Sequence, residues 1–372
     1  MVILAVILIR FTFIAFGMPN ELFSAINISL VLICFSVILV TDKSVVSLIT
    51  LPLICALTVF ISSAAHNFEF HRGAIFITFL SQLFYFYIFK NLSYKYSKLS
   101  FDILLWFTLF MAIMGLIFIL SGTTYFLGVR VTLAKDIFRS PTIFFSNGAY
   151  MGYFATFVLT VIFFTKKINY KILPVIIILA IMLLLSSNRT ALFGLLFMIL
   201  LYILTSNKIS LPYKLFSSFA FVLFAFIFIY IWLHSPLNYK SPDSGRLLLI
   251  YKALDLVKHG FFFGADNLYI DKHLHIAQIH NVYLAIIGEF GIFVLISYML
   301  YLIWIFRFSS KSGRIVLIYL LISGAVSPAF YLGFNENFYL YLIVIIYLNH
   351  HESFKTEAEN VLEPYLVLPN SV

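Results

Sequence analysis

Residues 280–314 read HNVYLAIIGEFGIFVLISYMLYLIWIFRFSSKSGR. From Asn281 to Phe306 the run is apolar apart from Glu289, which stands between Gly288 and Gly291. A helix crossing a hydrocarbon core of about 30 Å needs roughly 20 apolar residues, so this run predicts one membrane span. It opens on His280 and Asn281 and closes on Arg307, Lys311 and Arg314. An imidazole and an amide at one end and a basic cluster at the other set a direction across the membrane.

The same pattern recurs along the chain. Of its 372 residues, 63% are hydrophobic and only 10% charged. Soluble domains carry about 25% charged residues, so lipid is the expected solvent for most of the surface. Twelve spans are predicted, near 2–17, 22–40, 45–65, 73–89, 101–121, 148–165, 172–187, 190–205, 215–233, 281–306, 315–333 and 337–349. The expected fold is therefore all-α and polytopic: a membrane domain over 1–348 and a loosely ordered polar tail over 349–372. The opening MVILAVILIRFTFIAFG lacks a basic leader and a small-residue cleavage site, and reads as a retained first span. Cys34 and Cys55 fall inside apolar runs and read as small apolar fillers.

Lys and Arg gather in alternate short loops, KNLSYKYSK, TKKINYK, NKISLPYK and RFSSKSGR, whereas the short loops between them hold only Arg72 and Arg189. The positive-inside rule then makes both termini cytoplasmic and places two longer loops, 122–147 and 234–280, outside. The net charge of +9 belongs to this asymmetry. No basic run with interleaved aromatics lies outside the spans, so no nucleic-acid partner is expected; membrane lipid is. Within the large loop, SPDSGRLLLIYKALDLVKHG predicts an amphipathic helix capped by Asp243 or Ser244. Its apolar face carries Leu247, Ile250, Tyr251, Leu254 and Val257, and it is expected on the membrane surface or the bundle top.

Few polar groups are placed for chemistry. Arg189, in LLLSSNRTALFG, sits between two short apolar runs; it either reaches outer headgroups or, if deeper, costs about 2.5–3.5 kcal/mol and must bind something. Arg246 opens the loop helix, where free N–H groups and the helix dipole favour an anion; the other reading is a solvated first-turn arginine. His280 titrates near neutral pH and either takes a proton from an attacking hydroxyl or, with Asn281, caps the helix. Glu289, about 14 Å into the span, is protonated or paired there, orienting a basic group or bonding between helices. His273 and His275 are too thinly supported to predict a metal site, and no cofactor is expected.

SSNRTALFG, then SGR opening a loop helix, then GFFFGADN, then HNVYLAIIGEFGI resembles, in order and spacing, the O-antigen polymerase and O-antigen ligase superfamily over roughly 140–310. The resemblance implies a fold of the lipid-dependent (GT-C type) glycosyltransferases, with its site on the outer face of a bacterial inner membrane. The implied substrate is a glycan on undecaprenyl pyrophosphate. Arg189 and Arg246 would bind the pyrophosphate and His280 would activate the acceptor hydroxyl, with Asn281 and Glu289 in support. The implied activity is polymerisation of O-antigen or capsular repeat units, alongside a flippase and a chain-length regulator. A ligase acting on lipid A core carries similar residues. A lipid-linked oligosaccharide flippase or other transporter is the reading from a different class, although the clearest polar groups lie in outer loops and no internal repeat is present.

Overall fold

The run 281–306 does not form one helix. The computed structural model describes residues 29, 57–62, 64–65, 93–126, 129–134, 139–141, 149–165, 169–186, 188–234, 246–265, 281–325 and 337–366. The described residues are mostly helical. The helices are α1 (Tyr94–Leu120), α2 (Ala149–Thr165), α3 (Leu173–Leu185), α4 (Arg189–Thr205) and α5 (Leu211–His234). They continue with α6 (Arg246–Gly260), α7 (Val282–Phe290), α8 (Ile292–Arg307), α9 (Lys311–Gly324) and α10 (Asn337–Leu366). The spans predicted near 2–17 and 73–89, and most of 22–40 and 45–65, lie outside the described residues.

Gly291 breaks the expected span. Its φ of 91° and ψ of 171° belong to a region that side-chain-bearing residues avoid, and α7 ends there. A break leaves backbone groups without their i to i−4 partners. The turn following α6 supplies them: Ile292 N–H donates to the Phe261 carbonyl at 2.7 Å, and Ala265 N–H donates to the Gly288 carbonyl at 2.7 Å. Gly264, at φ 89°, lies where a Cβ would overlap the Glu289 carbonyl, so backbone meets backbone. From the other side, Ser62 Oγ donates to the Phe263 carbonyl at 3.0 Å.

This junction sets α6 against α7. Ala253 packs with Ala285, and Leu256 lies against Gly288, so α6 runs alongside α7 and parallel to it. The turn it leads into reaches the Gly291 break, ten residues and about 15 Å along from Asn281. The packed face is Ala253, Leu256 and Gly260, whereas Ile250, Tyr251 and Leu254 of the predicted apolar face are exposed. Periodicity identifies the larger apolar side chains; close helix approach selects small ones.

The loop over 122–147 carries short strands, and one further expectation, on the tail, changes. In the loop over 122–147, Tyr125–Phe126 pairs antiparallel with Val129–Arg130, and Thr132–Ala134 with Arg139–Pro141. The predicted loosely ordered tail from Asn349 is instead the continuation of α10 through Leu366. No glycine interrupts that stretch, and its first turn is tied down: Asn349 Oδ1 accepts from Ser310 N at 2.7 Å and Glu352 Oε1 from Ser312 N at 3.0 Å, at the start of α9.

Contacts between helix ends show which loops lie together. Lys311 at the start of α9 donates to the Thr205 carbonyl at the end of α4, and Tyr94 at the start of α1 meets His351 of α10. The described parts of the basic loops therefore share one end. The core between the helices is dense with Phe101, Phe154, Phe157, Tyr301 and Tyr341, with Thr108, Thr156, Thr160, Ser297 and Ser323 also buried. The exterior is apolar too. Trp106 of α1 is 68% exposed, and Phe216, Phe219 and Phe226 of α5 are 71%, 67% and 71% exposed. Among the described residues, α1 alone is long and apolar enough to cross a membrane by itself; α7 and α8 reach such a length only in series.

Candidate functional site

At the end opposite the basic loops, three helices start. Asn188 precedes α4 and caps it, its Oδ1 accepting from Ala191 N at 3.1 Å. Asn188 is itself buried; its N–H donates to Ser186 Oγ at 3.3 Å, while that hydroxyl donates to the Leu183 carbonyl at 2.7 Å. This tight α3–α4 turn sits against Gly152 of α2, where a Cβ would approach Ser186 Oγ to 2.6 Å. Its product is an exposed Arg189 as the first residue of α4.

The α7 start is built in the same way. Asn281 Oδ1 accepts from Leu284 N at 3.0 Å, and Asn281 Nδ2 donates to the Ala325 carbonyl at 3.2 Å, just beyond the end of α9. Tyr283 then donates to the Leu321 carbonyl, also on α9. On α4, Thr190 accepts at 3.0 Å from Tyr319 of α9. One stretch of α9, residues 319–325, thus holds the first turns of both α4 and α7. The parallel pairing of α6 with α7 brings in the third start. Arg246 lies about 10 Å before the Ala253–Ala285 contact and Asn281 about 6 Å before it, on the same side.

Electrostatically this end favours an anion. A helix start carries roughly half a positive charge and unpaired N–H groups. None of α4, α6 and α7 places an acidic residue in its first turn, and two of them begin with arginine. An arginine at a helix start opposes the dipole by about 0.3–1 kcal/mol. An anion bound there would reverse the sign of that interaction.

His280 lies outside the described residues, adjacent to the cap Asn281. Arg189 and Arg246 each begin a helix and Asn281 caps one, all at this end of the described structure. Glu289 does not join them: it is half-buried at the Gly291 break, eight residues and about 12 Å along α7 from Asn281. Among the described residues no group of three or more His, Cys, Asp or Glu is placed to hold a metal ion; His273, His275 and His280 lie outside them. Sequence reading missed Tyr319, Tyr283 and the buried cap Asn188. A cap is legible in SSNRTALFG from the asparagine just before an apolar run. The tyrosines left no such mark, because a lone aromatic in an apolar run looks like core. No protein-family model matches the chain, and no curated protein matches it significantly.

Proposed function

We propose that this protein is a polytopic inner-membrane glycosyltransferase of the O-antigen polymerase type. In this reading it joins undecaprenyl-pyrophosphate-linked repeat units at the outer face. The observation that carries the reading is that the Arg189, Arg246 and Asn281 helix starts share the end opposite the basic loops. Membrane embedding is supported by the phenylalanine-rich exterior of α5 and α1, which water would penalise at about 25 cal/mol per Å².

The chemistry needs little more than this arrangement. A sugar C1 bonded to pyrophosphate already has its leaving group. Arg189, Arg246 and the helix dipoles neutralise the charge that grows on the departing phosphate, without a metal. His280, beside the Asn281 cap, takes the proton from the acceptor hydroxyl as the new glycosidic bond forms.

The transporter reading gains one specific observation, since broken helices at mid-depth are a transporter feature. At Gly291, however, the bonds between 261–265 and 288–292 occupy the freed Gly288 carbonyl and Ile292 N–H, and the backbones touch. A turn of the same chain fills the place a cargo would need. Deletion of the gene separates the readings. A polymerase defect leaves single repeat units on lipid A core, a flippase defect leaves none, and a ligase defect leaves polymer on the undecaprenyl carrier. Either of the last two outcomes rejects the polymerase reading.

A further inference from the structure

We infer that Tyr319 and Tyr283 are positioning residues, which use the last turns of α9 as a frame to set the spacing between Arg189 and the His280-bearing start of α7. The inference rests on the glycosyltransfer reading for its catalytic consequence, but its geometry stands apart from it. Tyr319 donates to the Thr190 carbonyl at 3.0 Å, one residue after Arg189. Its ring occupies the space at Gly194 of α4, where any Cβ would overlap it. Tyr283 donates to the Leu321 carbonyl and Asn281 to the Ala325 carbonyl. The partners on α9 span residues 319–325, about 9 Å of helix.

Apolar packing alone tolerates sliding of one helix along another. A hydroxyl aimed at a main-chain carbonyl does not, because a slip of one residue moves the acceptor by about 1.5 Å. In an apolar medium the lost bond has no water to replace it. A reacting group misplaced by about 1 Å loses on the order of 10²-fold in rate. A frame holding the pyrophosphate cation and the proton acceptor on one helix therefore acts on turnover, with little effect on donor binding.

The test uses the full-length protein with Cys34 and Cys55 replaced by alanine. Nitroxide labels at Arg189→Cys and Phe262→Cys, both exposed positions, report the distance from the α4 start to the α7–α8 junction. Tyr319→Phe and Tyr283→Phe keep the rings and remove only the hydroxyls. Gly194→Ala presses on the Tyr319 ring from α4 and provides a variant with both hydroxyls intact. Expected are a single narrow distance in the parent and a shifted or broadened one in Tyr319→Phe and Gly194→Ala. In unlabelled protein with Arg189 and Phe262 restored, Tyr319→Phe and Tyr283→Phe should each lower kcat at least tenfold on lipid-linked repeat units, with KM within about twofold. An unchanged distance in all three variants overturns the frame, whatever the activity. A changed distance with full turnover overturns its catalytic role. A parent protein inactive on lipid-linked glycan, with the distance still changing, rejects the glycosyltransfer reading and supports the frame.

Discussion

Replacing Gly291 by alanine tests the junction between the α6–α7 pair and α8. At φ 91° and ψ 171° a residue with a Cβ carries about 1–3 kcal/mol of backbone strain. The added Cβ also overlaps the Phe262 carbonyl, so the 261–263 turn must move away. That movement strains or breaks the bond from Ile292 N–H to the Phe261 carbonyl, and an unsatisfied buried backbone group costs about 1–3 kcal/mol. The two effects together amount to about 2–6 kcal/mol. For a chain of this length a shift of about 2 °C per kcal/mol is the appropriate scale, so Gly291→Ala should lower the melting temperature of the detergent-purified protein by about 4–12 °C. Ser62→Ala serves as the reference: it removes one side-chain bond to the same turn and should cost about 0.5–1.5 kcal/mol. A cysteine at Phe263 should also become more reactive to thiol reagents in the Gly291→Ala background than in the parent. A melting temperature within 2 °C of the parent, with unchanged Phe263→Cys reactivity, would refute the argument that backbone-to-backbone contact holds the break.

Cysteines introduced at Ser241 and Ser210 should be labelled oppositely by a membrane-impermeant thiol reagent in spheroplasts, with Ser241 accessible; labelling of Ser210 alone reverses the proposed orientation. Arg189→Lys and Arg246→Lys should each lose most activity at equal protein level, because lysine lacks the bidentate fork that matches phosphate oxygens; normal polymer from both removes the pyrophosphate role. His280→Ala and His280→Asn should both lose about 10²–10⁴-fold in turnover while still binding the lipid-linked donor; polymer at parental level from the Asn variant leaves His280 as a cap. His351 lies beyond the predicted span, at the basic end, where burial and then nearby Lys355 hold its pKa below the usual value despite Glu352. The folded protein therefore binds fewer protons than the unfolded chain, and stability should fall as pH drops below about 6.5. His351→Gln should flatten that slope in melting curves between pH 7 and 5.

The sequence by itself determined the helical class, the approximate places of the described helices, and that the described parts of the basic loops share an end. These follow from local quantities: apolar run length, the Asn281 cap before α7, and the distribution of Lys and Arg. Arg189 and Arg246 were legible because a cation in an apolar chain is conspicuous wherever it falls. The break at Gly291 was not legible. A glycine inside a run of 26 apolar residues suits a continuous helix as well as a broken one, and the choice depends on partners for the freed groups. Those partners are Phe261 and Ala265, which precede the break by about 30 residues. The docking face of α6 was hidden for a related reason, since its small residues gain their meaning from the Gly288 surface opposite. The tail gave no local sign that Asn349 and Glu352 would cap a helix starting at Lys311. Tyr319 and Tyr283 are the extreme case: their hydroxyls bond to main-chain carbonyls, which every residue offers alike. No side-chain pattern marks such an acceptor, so only the packed helices decide which carbonyl each hydroxyl reaches, and with it how far Arg189 stands from the start of α7.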